Sequence, residues 1–552
     1  MKRLVFIMGL MLSLSPLVFS QAIGIFDGQA SIGDDNGQGS AKFSNGTYDI
    51  VASGSDLWGN ADGCYYVYKS VTGPFVITAE VNWENSGPRD GDAWKKAGFS
   101  ARDGDNPADD PSSPHATGII IRSQGSNLEH RMEYNNRSDD IEVQEKRPDE
   151  TNVIQLMRVG NTFTMLRGLK DGTFHVIGST EVPMPDKIWV GLVVTSHNVS
   201  TTELAHFTNV SLNPLSVGVD VNRTIPVYSV EGGASVAGIS LGVVVETGKT
   251  TDVTVTEKVP AGFTASNVKA SIGTYNIGAN SVITWTIPGA KGADAKLTYD
   301  VAAPKTSVGV LSFSGSSTVG ANVVSTGGDW ELTVVPPKSN GFGIFSKSED
   351  IFDTETVAGD AGYDPNTGTY VVIGTGSDIW GTADNFHFLY LQVSGKVTLK
   401  ANCQLYVGQG DTEWIKLGLM VRDDPDPASA YGFALIRTFS PRDFGPQWRD
   451  GLGSSAASDD TLLVPSGTVE GRQNGTIEIT RDGTKIGFYY YDAGTGKRVE
   501  SLVQELSEMA DPIYVGLAVT SHSAGNKSTG VFTNVVLTVN DKPVAVENWS
   551  LY

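Results

Sequence analysis

GSDLWGNAD, Gly54 to Asp62, returns as GSDIWGTAD, Gly376 to Asp384, with seven of nine residues identical. Three further pairs follow in the same order. WKKAGFSARDGDNP, Trp94 to Pro107, returns as WIKLGLMVRDDPDP, Trp414 to Pro427; VGLVVTSH, Val190 to His197, as VGLAVTSH, Val515 to His522; and FTNVSL, Phe207 to Leu212, as FTNVVL, Phe532 to Leu537. The offsets are 322, 320, 325 and 325. Constant order at nearly constant spacing means a duplicated domain of about 190 residues, far larger than one unit of a repeat array. The copies are placed at 23–214 and 342–540.

Within each copy, runs rich in Val, Ile, Thr, Tyr and Phe alternate with Gly, Asp, Asn and Pro clusters, and Gly totals 64. That pattern reads as strands and turns. FVITAEVNW, Phe75 to Trp83, and VTLKANCQLY, Val397 to Tyr406, alternate as strands with one face in a core do. At this strand density, about 190 residues suit a two-sheet jelly roll. Only Ser501 to Ala510 suggests a turn or two of helix.

Between the copies, at 215–338, charge and aromatics thin out while Val, Thr, Ala and Gly rise. VTVTEKVP, VITWTIPG and KLTYDVAAP, starting at Val253, Val282 and Lys296, read as strands closed by Pro turns. An immunoglobulin-like sandwich without its disulfide fits, with Trp285 in its core. The fold class is all-β, two jelly-roll sandwiches separated by a third sandwich, with a tail at 541–552.

The repeated motifs GSDIWG, WIKLGLMVRD and VGLAVTSH with FTNV resemble the regulation-of-enolase-type domains of the concanavalin A-like lectin/glucanase superfamily. EKVPAGFTASNV and ITWTIP in the middle segment resemble the immunoglobulin-like conserved repeats of bacterial surface proteins. The resemblance implies concanavalin A-like jelly rolls in a bacterial protein. It implies little about activity.

Residues 1–22 have the form of an export signal: Lys2 and Arg3, an apolar run from Leu4 to Leu12, and small residues at Ser20 and Ala22, with cleavage after either. The expected location is secreted, extracellular or at the cell surface. The apolar run is too short to span a bilayer, so no membrane insertion is expected. The formal net charge of −22 argues against nucleic acid and anionic lipid, whose binding rests on Lys and Arg releasing counterions from phosphate. Cys64 and Cys403 fall at non-equivalent places in the two copies, which points to two buried free thiols rather than a disulfide framework.

Flat aromatics lead the ligand candidates, because sugar rings stack their C–H faces on them. Tyr134, with Arg131 and Glu133, and Trp448, with Gln447 and Arg449, read as related positions on mid-domain strands and are the chosen ligand-binding residues. Trp58 and Trp380, set among Gly, Ser and Asp, read instead as aromatics tucked into tight turns. Arg102 and Arg422, each before an Asp, either clamp a ligand carboxylate or tie their own loop together. His197 and His522 lack the neighbours of a metal site or a triad and are read as satisfying buried backbone groups.

The acidic loops carrying Asp103 and Asp105, and Asp423 and Asp426, offer oxygens for calcium, the one cofactor considered, against the alternative of solvated acidic loops. In DIEVQE, Asp140 to Glu145, Asp140 and Glu142 share one side of a strand, as paired glucanase carboxylates do. The order of acids differs from that motif, and the second copy has SDDTLLVP near that place, so no catalytic residue is assigned. The expectation is a non-enzymatic binding protein for extracellular polysaccharide or surface glycan. A structural envelope or matrix protein is the second reading, a glycoside hydrolase the third.

Overall fold

The computed structural model describes residues 22–84, 91–105, 110–121, 125–144, 150–352, 357–406, 414–438, 444–459, 474–492 and 495–545, with the side chains of 142–144 left out. Of the export signal expected at 1–22, residues 1–21 lie outside the described residues. Among these the chain is all-β, with three short 3-10 turns and no α-helix. No helix is long and apolar enough to cross a membrane.

The first copy forms two seven-stranded antiparallel sheets. The front sheet runs, in spatial order, Gly28–Ile32, Cys64–Thr72, Lys187–Thr195, Lys96–Arg102, His115–Ile121, Gly125–Arg131 and Asp139–Gln144. The back sheet is centred on Phe75–Trp83, which pairs with Glu150–Val159 on one side and Glu203–Pro214 on the other. The second copy repeats both strand orders, with Lys416–Arg422 at the centre of its front sheet and Val397–Tyr406 at that of its back sheet. Side chains alternate along each strand, so Ala97, Phe99 and Ala101 meet Ile77, Leu156 and Phe207 of the back sheet in the sandwich core.

Alternation predicts a solvated outer face, and here the front sheets depart from it. All seven residues of Lys96–Arg102, and all seven of Lys416–Arg422, are buried. A small second core lies on the outer face: Leu57, from the GSDLWG stretch, packs with Cys64, Tyr66, Ile119, Ile121 and Val193. Ile379 takes the place of Leu57 in the second copy, against Phe386, Phe388, Tyr431 and Phe433. The repeated motif is therefore a cover laid over the front sheet. Burial pushes the Cys64 and Cys403 thiols well above their ordinary range, and both are free and buried.

The middle segment folds as sheets of five, three and five strands around Trp285, which is fully buried and donates its indole N–H to Lys269 O at 3.2 Å. Inside it Arg223 is bonded to Glu257 at 2.6 and 2.8 Å, and the Tyr299 hydroxyl donates to the same carboxylate at 2.6 Å. It touches both neighbours: Trp330 stacks on His175 of the first copy with ring centroids 4.0 Å apart, and Tyr228 Oη lies 2.8 Å from Thr529 Oγ1 of the second.

The helical turn expected at Ser501 to Ala510 is corrected in its first half. Arg498–Glu505 is a strand paired with Lys485–Tyr491, and Leu506 and Met509 beyond it turn into the sandwich core. Edge pairing gives these backbone groups partners that one isolated helical turn would leave unsatisfied.

Candidate functional site

The first Gly of each GSD motif opens the cover. Gly54 and Gly376 both have φ +104, and a Cβ there would sit 2.1 and 2.2 Å from the carbonyl oxygens of Gly63 and Asn385. Only glycine fits. The VTSH strand end, about 140 residues away, holds the same place: Thr195 Oγ1 donates to Gly54 O at 3.2 Å, and Thr520 Oγ1 to Gly376 O at 3.1 Å. The two most repeated stretches of the sequence are thus one structural unit.

The last residue of the motif is its deep anchor. Asp62 is fully buried and accepts from Arg102 Nη1 at 2.6 Å and from Arg131 Nη1 and Nη2 at 3.0 and 2.7 Å. Asp384 does the same for Arg422, at 2.7 Å, and for Arg449, at 2.7 and 2.6 Å. The remaining guanidinium N–H groups go chiefly to backbone carbonyls, among them Gly59 and Ser113 for Arg131, and Gly381 and Ser429 for Arg449. Burial by itself would raise Asp62, but Arg102, His115 and Arg131 outweigh it and hold the carboxyl near 2. His115 beside it is driven down to about 3, first by burial and then by the two guanidiniums, and so is neutral.

This network corrects the assignment of Arg131 and Arg449 as ligand-binding residues. Both are fully buried, and their donors are spent inside the fold. Gln447 is corrected likewise: it is buried and donates to Ile379 O at 2.6 Å and to the Tyr431 hydroxyl. Trp448, between Gln447 and Arg449, points to the opposite face and packs half-buried against the sandwich core. Tyr134 is not its counterpart. The front-sheet registers place His130 where the second copy has Trp448, while Tyr134 and Glu133 lie on an exposed turn after the strand. Glu133 accepts there from Asn136 Nδ2 at 3.3 Å.

What the cover presents to solvent is a different set. Trp380 is 42% exposed and Trp58 half-buried. Beneath each ring stands a lysine from the start of the central strand, Lys96 Nζ 5.8 Å from the Trp58 centroid and Lys416 Nζ 5.4 Å from that of Trp380. Arg137 flanks Trp58 at 5.6 Å. Lys96 is held by Asp56 at 2.6 Å and Glu129 at 2.7 Å, and Lys416 by Asp378 at 2.6 Å. The VTSH histidines close the cluster, His197 Nε2 3.4 Å from Asp56 and His522 Nε2 3.6 Å from Asp378, both at positive φ. Reading these histidines as satisfying backbone groups missed this pairing. The signal was present, since Asp56 and His197 recur as a pair in both copies.

The copies differ in what stands beside the lysine. Glu129 of the first is replaced by Gln447 in the second, since they pair with the equivalent residues Thr117 and Phe433. Burial, and then the neighbouring Asp56, raise Glu129 to about 7 in spite of Lys96. Burial by itself lowers Lys96, but Glu129 and Asp56 together reverse that and raise it; with Asp378 as its main counter-charge, burial prevails at Lys416 and lowers it.

The acidic residues assigned to calcium are placed apart from this cluster. Asp103 and Asp105 line a cavity of about 330 Å³ with Tyr134, Lys187 and Trp189. Asp423 Oδ1 accepts from Ala510 N and Asp426 Oδ1 from Ala428 N, both at 2.8 Å. Among the described residues no group of three or more His, Cys, Asp or Glu side chains is arranged to hold a metal ion. Asp140 accepts from Asn127 Nδ2 at 2.6 Å, and the side chains of Glu142 and Glu145 lie outside the described residues.

No family model matches the chain, and no curated protein does. Among solved structures it is similar to the GH43 protein BlXynB from Bacillus licheniformis, at 9% identity over 94% of this chain and 98% of that one, TM-score 0.24. It is similar to the sialidase of Trypanosoma rangeli in complex with sialic acid, at 9% identity over 96% of each chain, TM-score 0.21. Basic winged bean lectin with Tn-antigen matches at 8% identity over 51% of this chain and 99% of that one, TM-score 0.18. Likenesses this distant carry no argument about mechanism. The expectation of a non-enzymatic protein is corrected: BlXynB and the sialidase match over more than nine-tenths of the chain, and hydrolysis stands open beside binding.

Proposed function

We propose that the chain recognises an extracellular glycan, and that each outer sandwich does so on the cover of its front sheet, with Trp58 or Trp380 as the stacking surface. One observation carries this reading. An accessible indole, a buried lysine, an aspartate and a histidine recur together at the same place in both copies. Packing accounts for Leu57, Ile379 and the Asp–Arg anchors beneath. It does not account for a large apolar ring kept in water above hydrogen-bonding groups, which is what binds the C–H face and hydroxyls of a sugar. Two such surfaces on one chain raise the effective concentration at a repetitive polymer.

The test is titration of the full chain and of its Trp58→Ala, Trp380→Ala and doubly substituted variants against a panel of soluble polysaccharides, with reducing ends assayed in the same samples. Loss of roughly three- to tenfold in affinity per ring is expected, the ~0.5–1.5 kcal/mol of one aromatic contact. Unchanged binding in the double variant rejects the reading, and growth of reducing ends decides whether binding leads to cleavage.

A further inference from the structure

We infer that the cavity of about 330 Å³ in the first copy is a second binding site, for a single sugar ring bearing a free amino group. It stands apart from the Trp58 surface: Lys96 beneath that ring begins the central front strand, and Asp103 follows its last residue, Arg102. The volume is at the low end of the ~300–1,000 Å³ of ligand pockets, which suits one ring rather than a long chain.

Its walls carry the chemistry. Trp189 is fixed by donating its indole N–H to Gly104 O at 2.9 Å, and Tyr134, 42% exposed, stands at the rim. Two aromatic rings offer a stacking face, while Asp103 and Asp105 supply negative charge for an ammonium group and Lys187 a donor for a hydroxyl.

The second copy differs at the same place. There Ala510 N donates to Asp423 Oδ1 at 2.8 Å, drawing the turn before the strand onto the acidic loop. Asp423 is the counterpart of Asp103, and Ala510, in MADPIY, is the counterpart of Pro185, in MPDKIW. Proline has no N–H to donate. Asp103 receives no such N–H from Pro185; its carboxylate accepts from Gly104 N at 2.7 Å and lines the crevice beside Tyr134.

The experiment titrates the full chain with the β-1,4-linked disaccharide of glucosamine and with its N-acetylated form, at about pH 6 so that the amine is charged. The free amine is expected to bind at least tenfold more tightly than the acetylated form. Asp103→Asn, which keeps an acceptor for Gly104 N, and Pro185→Ala, which restores the N–H that engages the acidic loop in the second copy, are each expected to weaken it at least tenfold. Trp58→Ala is expected to leave it unchanged, so that this site and the cover fail separately. Equal affinity for both sugars, indifference to Asp103→Asn and Pro185→Ala, loss in Trp58→Ala, or displacement of the sugar by calcium would each overturn the inference.

Discussion

Arg449 grips Asp384 with two nitrogens, Nη1 at 2.7 Å and Nη2 at 2.6 Å, across 65 residues of sequence and in full burial. Arg131 and Asp62 repeat the grip in the first copy. Each carboxylate also neutralises a second buried guanidinium, Arg422 or Arg102.

Removing that carboxylate leaves two buried cations without a counter-charge. Asp384→Asn is expected to destabilise the second copy by about 3–5 kcal/mol, the cost of breaking a buried pair. Neutralising the exposed Lys396–Asp541 pair by Lys396→Gln should change stability by less than about 1 kcal/mol. Chemical denaturation of the three proteins checks both; equal midpoints for wild type and Asp384→Asn would refute the anchor role.

Gly376→Ala forces a Cβ to within 2.2 Å of the Asn385 carbonyl oxygen at a φ that alanine avoids. The cover must shift, so both thermal stability and glycan affinity should fall. Gly483→Ala, also at positive φ but with nothing near its Cβ, should cost only the backbone strain of about 1 kcal/mol. Thermal melts of both variants make the comparison.

Trp448 and Trp380 of the second copy should separate. Trp448, packed on the sandwich core, is expected to cost about 2–3 kcal/mol when replaced by Ala, below the ~3–5 of a fully buried aromatic. Trp380→Ala should move stability by about 1 kcal/mol or less and weaken binding by the roughly three- to tenfold of one ring. Denaturant midpoints beside polysaccharide titrations read this, and the opposite assignment would show that the cover is packing alone.

The first copy carries two buried groups whose pH effects oppose each other. Folded His115 titrates near 3 against 6.5 unfolded, so the unfolded chain takes up the proton first and stability is lost as pH falls from about 6.5 to 3. Folded Glu129 titrates near 7 against 4.5 unfolded, so the folded chain takes up that proton first and stability is gained as pH falls from about 7 to 4.5. The two offset each other between pH 6.5 and 4.5, below which Glu129 no longer opposes His115. Asp62, held near 2, adds its own loss as pH falls from 3.8 towards 2. Denaturation midpoints should therefore be nearly flat in the upper window and fall below it. Glu129→Gln should start the fall near pH 6.5, and a profile unchanged by that substitution would contradict the burial of Glu129.

Duplication, strand content, the turn residues and the buried Trp285 were all legible in the sequence, because side-chain alternation and turn chemistry are local properties of the chain. Alternation along a strand sets Gln447 and Arg449 on one face and Trp448 on the other, which grouping the three as one ligand set passed over. It did not say which face was covered. That depended on the stretch from Gly54 to Asp62, and its copy, folding back over the front sheet to bury Leu57 and Ile379 and pair Asp62 and Asp384 with arginines far along the chain. The match of Tyr134 to Trp448 failed for the same reason, since strand register, which aligns Trp448 with His130, is set by pairing across the sheet. The sequence by itself determined the strands and their repetition. Tertiary structure alone decided which polar residues became interior anchors and which aromatic rings stayed in water, because both depend on what a distant segment packs against.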